Sequence, residues 1–196
     1  MPRTIEGEAP KGDHVLVATP NTPLLEPSAE LGDVFQRYHG KIFAAAYRVT
    51  GSAQDAEDVL QTVFLRLLKR QNELRLDPNP GAYLHRAAVN AGLDLMRSRS
   101  RKRSVALDDL DVQPEDAQSQ SPEARQRDRE LRRGLRQAIL GLSDKAAEIF
   151  TLRFLEGISN QEIADMLEMS QSAVGVALHR ARNQVKEEIR SFVGDN

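Results

Sequence analysis

The chain has 196 residues, a formal net charge of −2 and no cysteine, and 40% of its residues are hydrophobic. This length accommodates one domain or two small ones, and the apolar content suits a packed core rather than a disordered chain. The lack of cysteine excludes disulfides, thiolate zinc sites and cysteine nucleophiles, and it agrees with the cytoplasmic location that we expect. No apolar run reaches the length of a membrane span and no signal-peptide pattern is present, so we expect no membrane insertion.

Charges are segregated along the chain. Positive residues cluster at 97–103 (RSRSRKR) and 125–136 (RQRDRELRRGLR), and negative residues cluster at 55–58 (DAED) and 108–116 (DDLDVQPED). For nucleic-acid binding the distribution of charge matters more than its sum. The pattern therefore predicts at least two differently charged working surfaces.

The N-terminal half is predicted to be a tail followed by three helices. Residues 1–29 contain five prolines and no sustained periodicity, which predicts a disordered tail. Apolar residues then recur at helical spacing on both sides of a break at 50–52, and a turn at 77–80 starts the third helix, with Asn79 as its N-cap. The predicted buried positions of the three helices are Leu31, Val34, Phe35, Tyr38, Ile42, Ala45, Ala46 and Val49; Ala56, Val59, Leu60, Val63, Phe64, Leu67 and Leu68; and Leu84, Ala87, Ala88, Ala91 and Leu95.

The C-terminal half is predicted to contain four helices after an acidic, aperiodic linker at 104–121. The predicted N-caps are Ser121, Ser143, Ser159 and Ser170, and Ser159 forms a capping box with Glu162. The predicted buried positions are Leu131, Leu135, Ile139 and Leu142; Ala146, Ala147, Ile149, Phe150 and Phe154; and Val174, Leu178, Ala181 and Val185. No strand-like alternation occurs, so the predicted fold class is all-α, with two small helical domains joined by an acidic flexible linker.

Residues 159–185 have the pattern of a helix-turn-helix. This motif needs a small residue where the helices cross, a tight turn, and apolar residues that hold both helices against a support. Ala164 lies at the predicted crossing, and the apolar set is Ile163, Leu167, Met169, Val174 and Leu178. The same residues would also build an ordinary helical hairpin, but the two serine caps and the short turn favour DNA binding.

The second helix of this motif is the predicted reading helix, and two positions depart from a regular pattern. Glu168 lies in the turn, where a positive φ costs about 1 kcal/mol or more for a residue with a side chain. Gly175 costs about 1 kcal/mol relative to alanine inside a helix; it either permits close approach to DNA or is a tolerated surface glycine. The candidate DNA-contacting residues are Gln171, Ser172, Gly175, Val176, His179, Arg180 and Arg182.

Two blocks of the sequence resemble a known family. Residues 142–182 (LSDKAAEIFTLRFLEGISNQEIADMLEMSQSAVGVALHRAR) resemble region 4 of the bacterial extracytoplasmic-function sigma factors, group 4 of the sigma-70 family. Residues 55–70 (DAEDVLQTVFLRLLKR) resemble the polymerase-binding helix of region 2, and residues 80–103 resemble its promoter −10 segment. The resemblance implies a sigma factor that binds core RNA polymerase and directs promoter-specific transcription initiation. It implies no enzyme activity, catalytic residue, cofactor or small-molecule substrate.

The resemblance also implies a domain division and a set of partners. It divides the chain into a tail at 1–29, region 2 at 30–103, a linker at 104–121, and region 4 at 122–192. The implied partners are the β′ clamp and β flap of core polymerase, promoter DNA and an anti-sigma factor. By the same resemblance the acidic linker threads towards the RNA path, while a simple spacer explains its composition equally well.

The resemblance assigns roles to three groups of residues. Those facing the β′ clamp are Asp55, Glu57, Asp58, Gln61, Thr62, Leu65 and Arg66, with Thr62 where the family usually has an acid. Those facing the −10 element are Arg86 and Asn90, on the exposed face of their helix, and the cations Arg97, Arg99, Arg101, Lys102 and Arg103. The reading helix faces the −35 element, and the loop at 76–80 recognises a flipped base. Tyr83, where the family commonly has Trp, is expected in the core.

Other interpretations of these features remain. The acidic residues at 55–58 and the basic run at 97–103 also complement helix dipoles. A helix-turn-helix regulator that binds duplex DNA without polymerase would explain residues 140–190, but it leaves the 55–61 and 80–103 patterns unused. A helical metal protein would depend on His14, His39, His85 and His179; these lie in separate segments without a Glu-x-x-His or His-x-x-x-His pair, so we expect no metal site.

Overall fold

The computed structural model describes residues 29–70, 79–103 and 121–194, and the described residues form α-helices and no strand. The helices are α1 Ala29–Thr50, α2 Ala53–Arg70, α3 Pro80–Arg103, α4 Pro122–Leu140, α5 Asp144–Phe154, α6 Asn160–Leu167 and α7 Gln171–Gly194. The predicted all-α class is confirmed. The expectations for the tail before Ala29, for 104–120 and for most of the 76–80 loop lie outside the described residues. None of the described helices has the length and apolar character needed to cross a membrane.

Side-chain caps fix where several helices begin. The Ser159 hydroxyl accepts the Glu162 backbone N–H, and the Glu162 carboxylate accepts the Ser159 N–H, so the predicted capping box is present. Asn79, Ser121 and Ser170 each accept a backbone N–H from the first turn of the following helix. Ser143 lies at the N-cap of α5 without a side-chain cap hydrogen bond. These local bonds satisfy N–H groups that a helix leaves unpaired at its start.

Helices α1, α2 and α3 pack around a first apolar core. Gly92 lies where α1 and α3 approach closely, because a Cβ atom at this position would be 3.1 Å from Cγ1 of Val49. The buried members of this core are Leu31, Ile42, Ala45, Ala46, Ala56, Val59, Val63, Leu67, Leu84, Ala88 and Ala91.

Helices α4 to α7 surround a second apolar core, and α1 and α3 also contribute to it. Val49, Val89 and Leu93 are buried in the same cluster as Ile139 of α4 and Leu152 of α5. Helix α3 therefore has two apolar faces, one towards α1 and α2 and one towards α4 and α5. The other buried members of the second core are Ala138, Leu142, Ala147, Ile149, Phe150, Ile163, Ala164, Leu167, Val174, Leu178, Ala181 and Val185.

Four predicted buried positions were wrong, since Phe35, Tyr83, Leu131 and Phe154 are exposed. Phe35 lies at the border of the first core, where its ring meets Phe64 edge-on at a centroid separation of 4.6 Å. Leu131 lies on the N-terminal part of α4, before the residues that enter the second core. Helical spacing identifies which side of a helix is apolar, but not how far along that side the neighbouring helices reach.

The close approach at Gly92 predicts opposite effects for two mid-helix glycines. Gly92→Val forces a branched side chain against Val49 and should lower the free energy of unfolding by about 1–3 kcal/mol. A Cβ atom at Gly175 meets nothing within 4 Å, so Gly175→Ala should raise the free energy of unfolding by up to about 1 kcal/mol. Urea denaturation followed by circular dichroism measures both. Equal stabilisation of the two variants would contradict the packing described at Gly92.

Candidate nucleic-acid and protein-binding surfaces

Helices α6 and α7 form a helix-turn-helix closed by a left-handed residue. Glu168 has φ 54° and ψ 45°, as predicted for the turn, and its N–H points to the carbonyls of Ala164 and Asp165. The Met169 N–H also donates to the Ala164 carbonyl, at 2.9 Å. Ala164, predicted at the crossing of the two helices, is buried. The turn thus satisfies the last carbonyls of α6 and sets the start of α7.

The predicted reading face of α7 is open. Val174, Leu178 and Ala181 are buried in the second core, whereas Val176, His179 and Arg180 between them are exposed. Gly175 is half-buried, with open space where a side chain would be. The exposed members of the predicted set are Gln171, Ser172, Val176, His179, Arg180 and Arg182. This face therefore offers amide, hydroxyl and methyl groups before its cations.

Helix α2 presents a second exposed surface beside the first core. Leu65 leaves 55% of its surface exposed although it is a large apolar residue. Four other residues predicted to bind polymerase are also exposed: Glu57, Asp58, Gln61 and Arg66. Thr62, from the same predicted set, is half-buried.

Asp55 departs from this arrangement, because it is buried and forms an ion pair with Arg99 of α3. The other guanidinium nitrogen of Arg99 lies 3.8 Å from the Asp58 carboxylate. The expectation that Asp55 faces a partner is therefore corrected. Arg99, predicted as a phosphate contact, joins the C-terminal part of α3 to the first turns of α2.

Arg86 and Asn90, predicted on the exposed face of α3, are half-buried and engaged by another part of the chain. Both side chains donate to one oxygen of Glu148 in α5, Arg86 Nε at 2.6 Å and Asn90 Nδ2 at 2.8 Å. Arg86 Nη1 also donates to the Met166 carbonyl of α6, at 3.4 Å. The sequence shows these residues on the polar side of α3, but it does not show that another acid covers that side.

Two further acids meet cations of the first three helices. Glu156 accepts two hydrogen bonds from Arg48 of α1, at 2.9 and 2.6 Å, and lies 2.6 Å from His85 Nε2. Asp144 pairs with Arg97 at 2.7 Å. We call the pairs made by Asp144, Glu148 and Glu156 with α1 and α3 the carboxylate contact. The contact of Arg48 and His85 with these three acids was not predicted from the sequence. The one available signal was Glu148, a charged residue within the apolar run of α5.

The two inner acids of the carboxylate contact are held ionised. Burial alone would raise the pKa of Glu148, but hydrogen bonds from Arg86 and Asn90 and the charges of Arg86 and Lys145 outweigh it and leave the pKa below its usual value. The pKa of Glu156 is lowered in the same way, because hydrogen bonds and charge from Arg48 and His85 outweigh its burial. The reciprocal effect raises the pKa of Arg48, mainly through its hydrogen bond to Glu156.

The remaining predicted cations lie at the end of α3. Arg101 and Lys102 are exposed, and the side chain of Arg103 lies outside what is described. Within the described part of the chain, no three His, Cys, Asp or Glu residues come together in a way that could hold a metal ion. The surfaces that the structure presents are therefore the reading face of α7, the face of α2 around Leu65, and the basic end of α3.

Comparison with known proteins matches both halves of the chain to one family. Residues 34–102 match Sigma-70 region 2, and residues 132–185 match Sigma-70 region 4. The chain is 30% identical over 184 residues to the ECF RNA polymerase sigma factor SigE of Mycolicibacterium smegmatis, covering 92% of this chain and 68% of that protein. It is 27% identical to SigW of Bacillus subtilis, over 82% of this chain and 89% of that protein.

Solved structures share the fold. A complex of the sigma factor RpoE with the anti-sigma factor NepR from Bartonella quintana aligns with a TM-score of 0.50 and 19% identity, over 83% of this chain and 98% of that chain. CnrH, in complex with the cytosolic domain of CnrY, aligns with the same TM-score and 22% identity, over 82% of this chain and 88% of that chain.

The lowered pKa values predict a stability that depends on pH. An acid with a lowered pKa in the folded state stabilises the fold above its ordinary value of 4.5, and this stabilisation is lost as the pH falls through the folded value. We therefore expect the free energy of unfolding to fall below about pH 4.5, and Glu156→Gln to reduce this slope. Urea denaturation at a series of pH values measures it, with Glu188→Gln, an exposed site on α7, as the control. An unchanged slope in Glu156→Gln would contradict the stabilising role assigned to the ionised Glu156 carboxylate.

Proposed function

The chain belongs to the extracytoplasmic-function sigma factors, which direct RNA polymerase to specific promoters, and we propose how its two halves divide that task. Residues 30–103 act as region 2 and bind the β′ clamp and the −10 element. Residues 122–192 act as region 4 and bind the β flap and the −35 element, with 104–121 as the linker. The polymerase carries out the chemistry, so the chain itself needs no cofactor and no catalytic residue.

The exposed leucine on α2 carries the assignment of the polymerase surface. Leu65 lies among Glu57, Asp58, Gln61 and Arg66, so an apolar side chain is surrounded by charged and polar groups. Interfaces commonly combine an apolar centre with a polar rim. The match of residues 34–102 to Sigma-70 region 2 supports polymerase as the occupant of this surface. Thr62 is half-buried and belongs to the edge of the same surface. Asp55 is buried and supports that surface.

The proposed −10 surface is the polar side of α3. Arg86 and Asn90 provide donors for base edges or for the backbone, and the cations Arg97, Arg99, Arg101, Lys102 and Arg103 suit phosphates. Phosphate contacts position a protein without selecting sequence, and they weaken as salt increases. The pairing of Arg99 with Asp55 and Asp58 favours a bracing role for this residue between the DNA and polymerase surfaces.

The proposed −35 surface is the open face of α7. Gln171 and Ser172 lie in its first turn, where a reading helix contacts base edges in the major groove. Val176 offers methyl groups that suit the methyl of thymine, and Gly175 leaves room for close approach. His179, Arg180 and Arg182 follow at positions suited to phosphates. The short polar set selects the site, while polymerase and the cations supply most of the affinity.

An anti-sigma factor and a cytoplasmic location complete the proposal. The support for an inhibitory protein partner is family membership, together with the two solved structures of this fold, which are the RpoE–NepR and CnrH–CnrY complexes. The support for the cytoplasm is that a sigma factor acts with RNA polymerase on promoter DNA.

Run-off transcription with core RNA polymerase on a library of promoter fragments tests the polymerase surface. The wild-type chain should give promoter-dependent products, and Leu65→Asp should lose most of them because a charge enters the apolar centre of the interface. Lys41→Gln on exposed α1 makes the same change in net charge and serves as the control. Tight duplex binding without core-dependent transcription would favour the stand-alone regulator instead.

Substitutions on α7 and α3 should have different effects on promoter choice. Gln171→Ala and Ser172→Ala should change which −35 sequences are used, by about 1–3 kcal/mol per lost base contact. Arg101→Gln with Lys102→Gln should instead weaken all promoters by a similar factor and reduce the salt dependence. Transcription from a −35 library at several salt concentrations separates the two. Unchanged −35 preference in both α7 variants would show that the reading face is misplaced.

A further inference from the structure

The arginine-rich N-terminal part of α4 has no role in the proposed promoter and polymerase contacts. We propose that one side of it binds the phosphate backbone of nascent RNA. We call this side the arginine face, and its residues are Arg125, Arg129, Arg132 and Arg133. The inference adds an RNA-binding surface to the −10 and −35 surfaces, and it rests on the chain acting as a sigma factor.

The first three turns of α4 extend beyond the second core. Residues 125–129 and 131–133 are exposed, and the first described side chain position of α4 that is buried is Gly134. Leu131 leaves 50% of its surface exposed, and Ala138 is the first member of the second core on this helix. This part of α4 therefore buries little apolar surface and is accessible to a ligand.

The exposed arginines share one side of the helix. Arg125, Arg129 and Arg132 are separated by four and three residues, and these spacings place side chains above one another on an α-helix. Arg133 follows Arg129 by four residues and widens the same side. The arginine face therefore presents a row of guanidinium groups, with successive turns about 6 Å apart along the helix axis.

The acids of the same segment leave most of this charge in place. Glu123 and Glu130 are seven residues apart and share another side of the helix, where Glu130 accepts a hydrogen bond from Gln126 at 2.7 Å. Asp128 pairs with Arg132 at 4.0 Å, and both side chains are more than half exposed. Solvent screens such a pair strongly, so Arg132 can exchange this acid for a phosphate at little cost.

The chemistry of the arginine face suits phosphates rather than bases. Guanidinium groups bind phosphate oxygens through two parallel hydrogen bonds, which makes arginine well suited to nucleic-acid backbones. Residues 122–136 contain no aromatic side chain on which a base could stack. We therefore expect binding that does not depend on nucleotide sequence.

RNA fits this surface better than promoter DNA because of where the surface lies. Gln184, just after the reading residues of α7, donates to the Gly141 carbonyl at 3.2 Å, so α7 meets the C-terminal end of α4. The arginine face lies towards the opposite end of α4, apart from the −35 face. Transcription initiation produces one further nucleic acid, the transcript, whose sequence changes with each promoter. A contact to phosphates alone accommodates that variation.

Binding of single-stranded RNA to the full chain tests the charge chemistry. The probe is a labelled, unstructured RNA of about 15 nucleotides, measured by anisotropy between about 50 and 200 mM salt. Arg129→Gln with Arg132→Gln should weaken binding about tenfold at the lowest salt. It should also reduce the slope of log affinity against log salt by about 1.4, because two phosphate contacts are lost.

Two matched variants separate this effect from a general change in charge. Arg37→Gln with Lys41→Gln removes the same charge from exposed sites on α1 and should leave the salt slope unchanged. Arg129→Lys with Arg132→Lys keeps the charge and should keep most of the slope, since lysine still binds phosphate as a point charge. Circular dichroism confirms that each variant is folded.

Crosslinking in the transcribing complex identifies the nucleic acid. Because the chain has no cysteine, Gln126→Cys can carry a photo-crosslinker beside the arginine face, seven residues before Arg133. With core RNA polymerase and a promoter template, this position should crosslink to the labelled transcript once the transcript emerges. Gln36→Cys, an exposed site on α1, should give no such product.

Three results would overturn the inference: an unchanged salt slope in Arg129→Gln with Arg132→Gln, a crosslink to promoter DNA instead of RNA, or weaker polymerase binding in place of weaker RNA binding. The last result would identify an acidic protein surface as the occupant. Normal promoter-dependent transcription without an RNA crosslink would count against the arginine face alone. A wild-type chain that gives no promoter-dependent transcript would count against the proposed function and this inference together.

Discussion

Two buried carboxylates determine how the halves of this protein are arranged. Glu148 and Glu156 belong to the C-terminal half, but Arg48 and Arg86, the N-terminal cations paired with them, contribute to keeping them ionised. A covered acid without its cation is costly, since burial disfavours the charged form. These pairs, together with the apolar cluster that Val49, Val89 and Leu93 share with the C-terminal helices, therefore hold the two halves in the observed arrangement.

Much of the fold is predictable because its determinants are local. Helical spacing identifies the apolar side of each helix, and Ser159, Asn79 and Ser170 mark starts that the structure reproduces. The positive φ at Glu168 was expected from its place in the turn. These features depend on residues within one turn of each other, so the sequence contains the information needed to predict them.

The arrangement of the site is less predictable because it depends on contacts between distant residues. Val89 and Leu93 form a second apolar side of α3 that has meaning only once α4 and α5 pack against it. Arg86 and Asn90 lie on the polar side of α3, and the acid that accepts their hydrogen bonds is remote in the chain. Asp55 was expected to face a partner, but Arg99 reaches it from the far end of α3. Family membership therefore indicates the function, but only the three-dimensional contacts show which surface is accessible.

The two proposed promoter-contacting surfaces differ in how far other parts of the chain engage them. The −35 face of α7 is open, whereas Arg86 and Asn90 of the proposed −10 surface donate to Glu148. The most direct measurement is the affinity of the chain for core RNA polymerase, compared between the wild type and Leu65→Asp. We expect Leu65→Asp to weaken this binding by about tenfold or more, because a charge enters the apolar centre of the proposed interface. Equal affinity of the two chains would contradict the placement of the polymerase surface on α2.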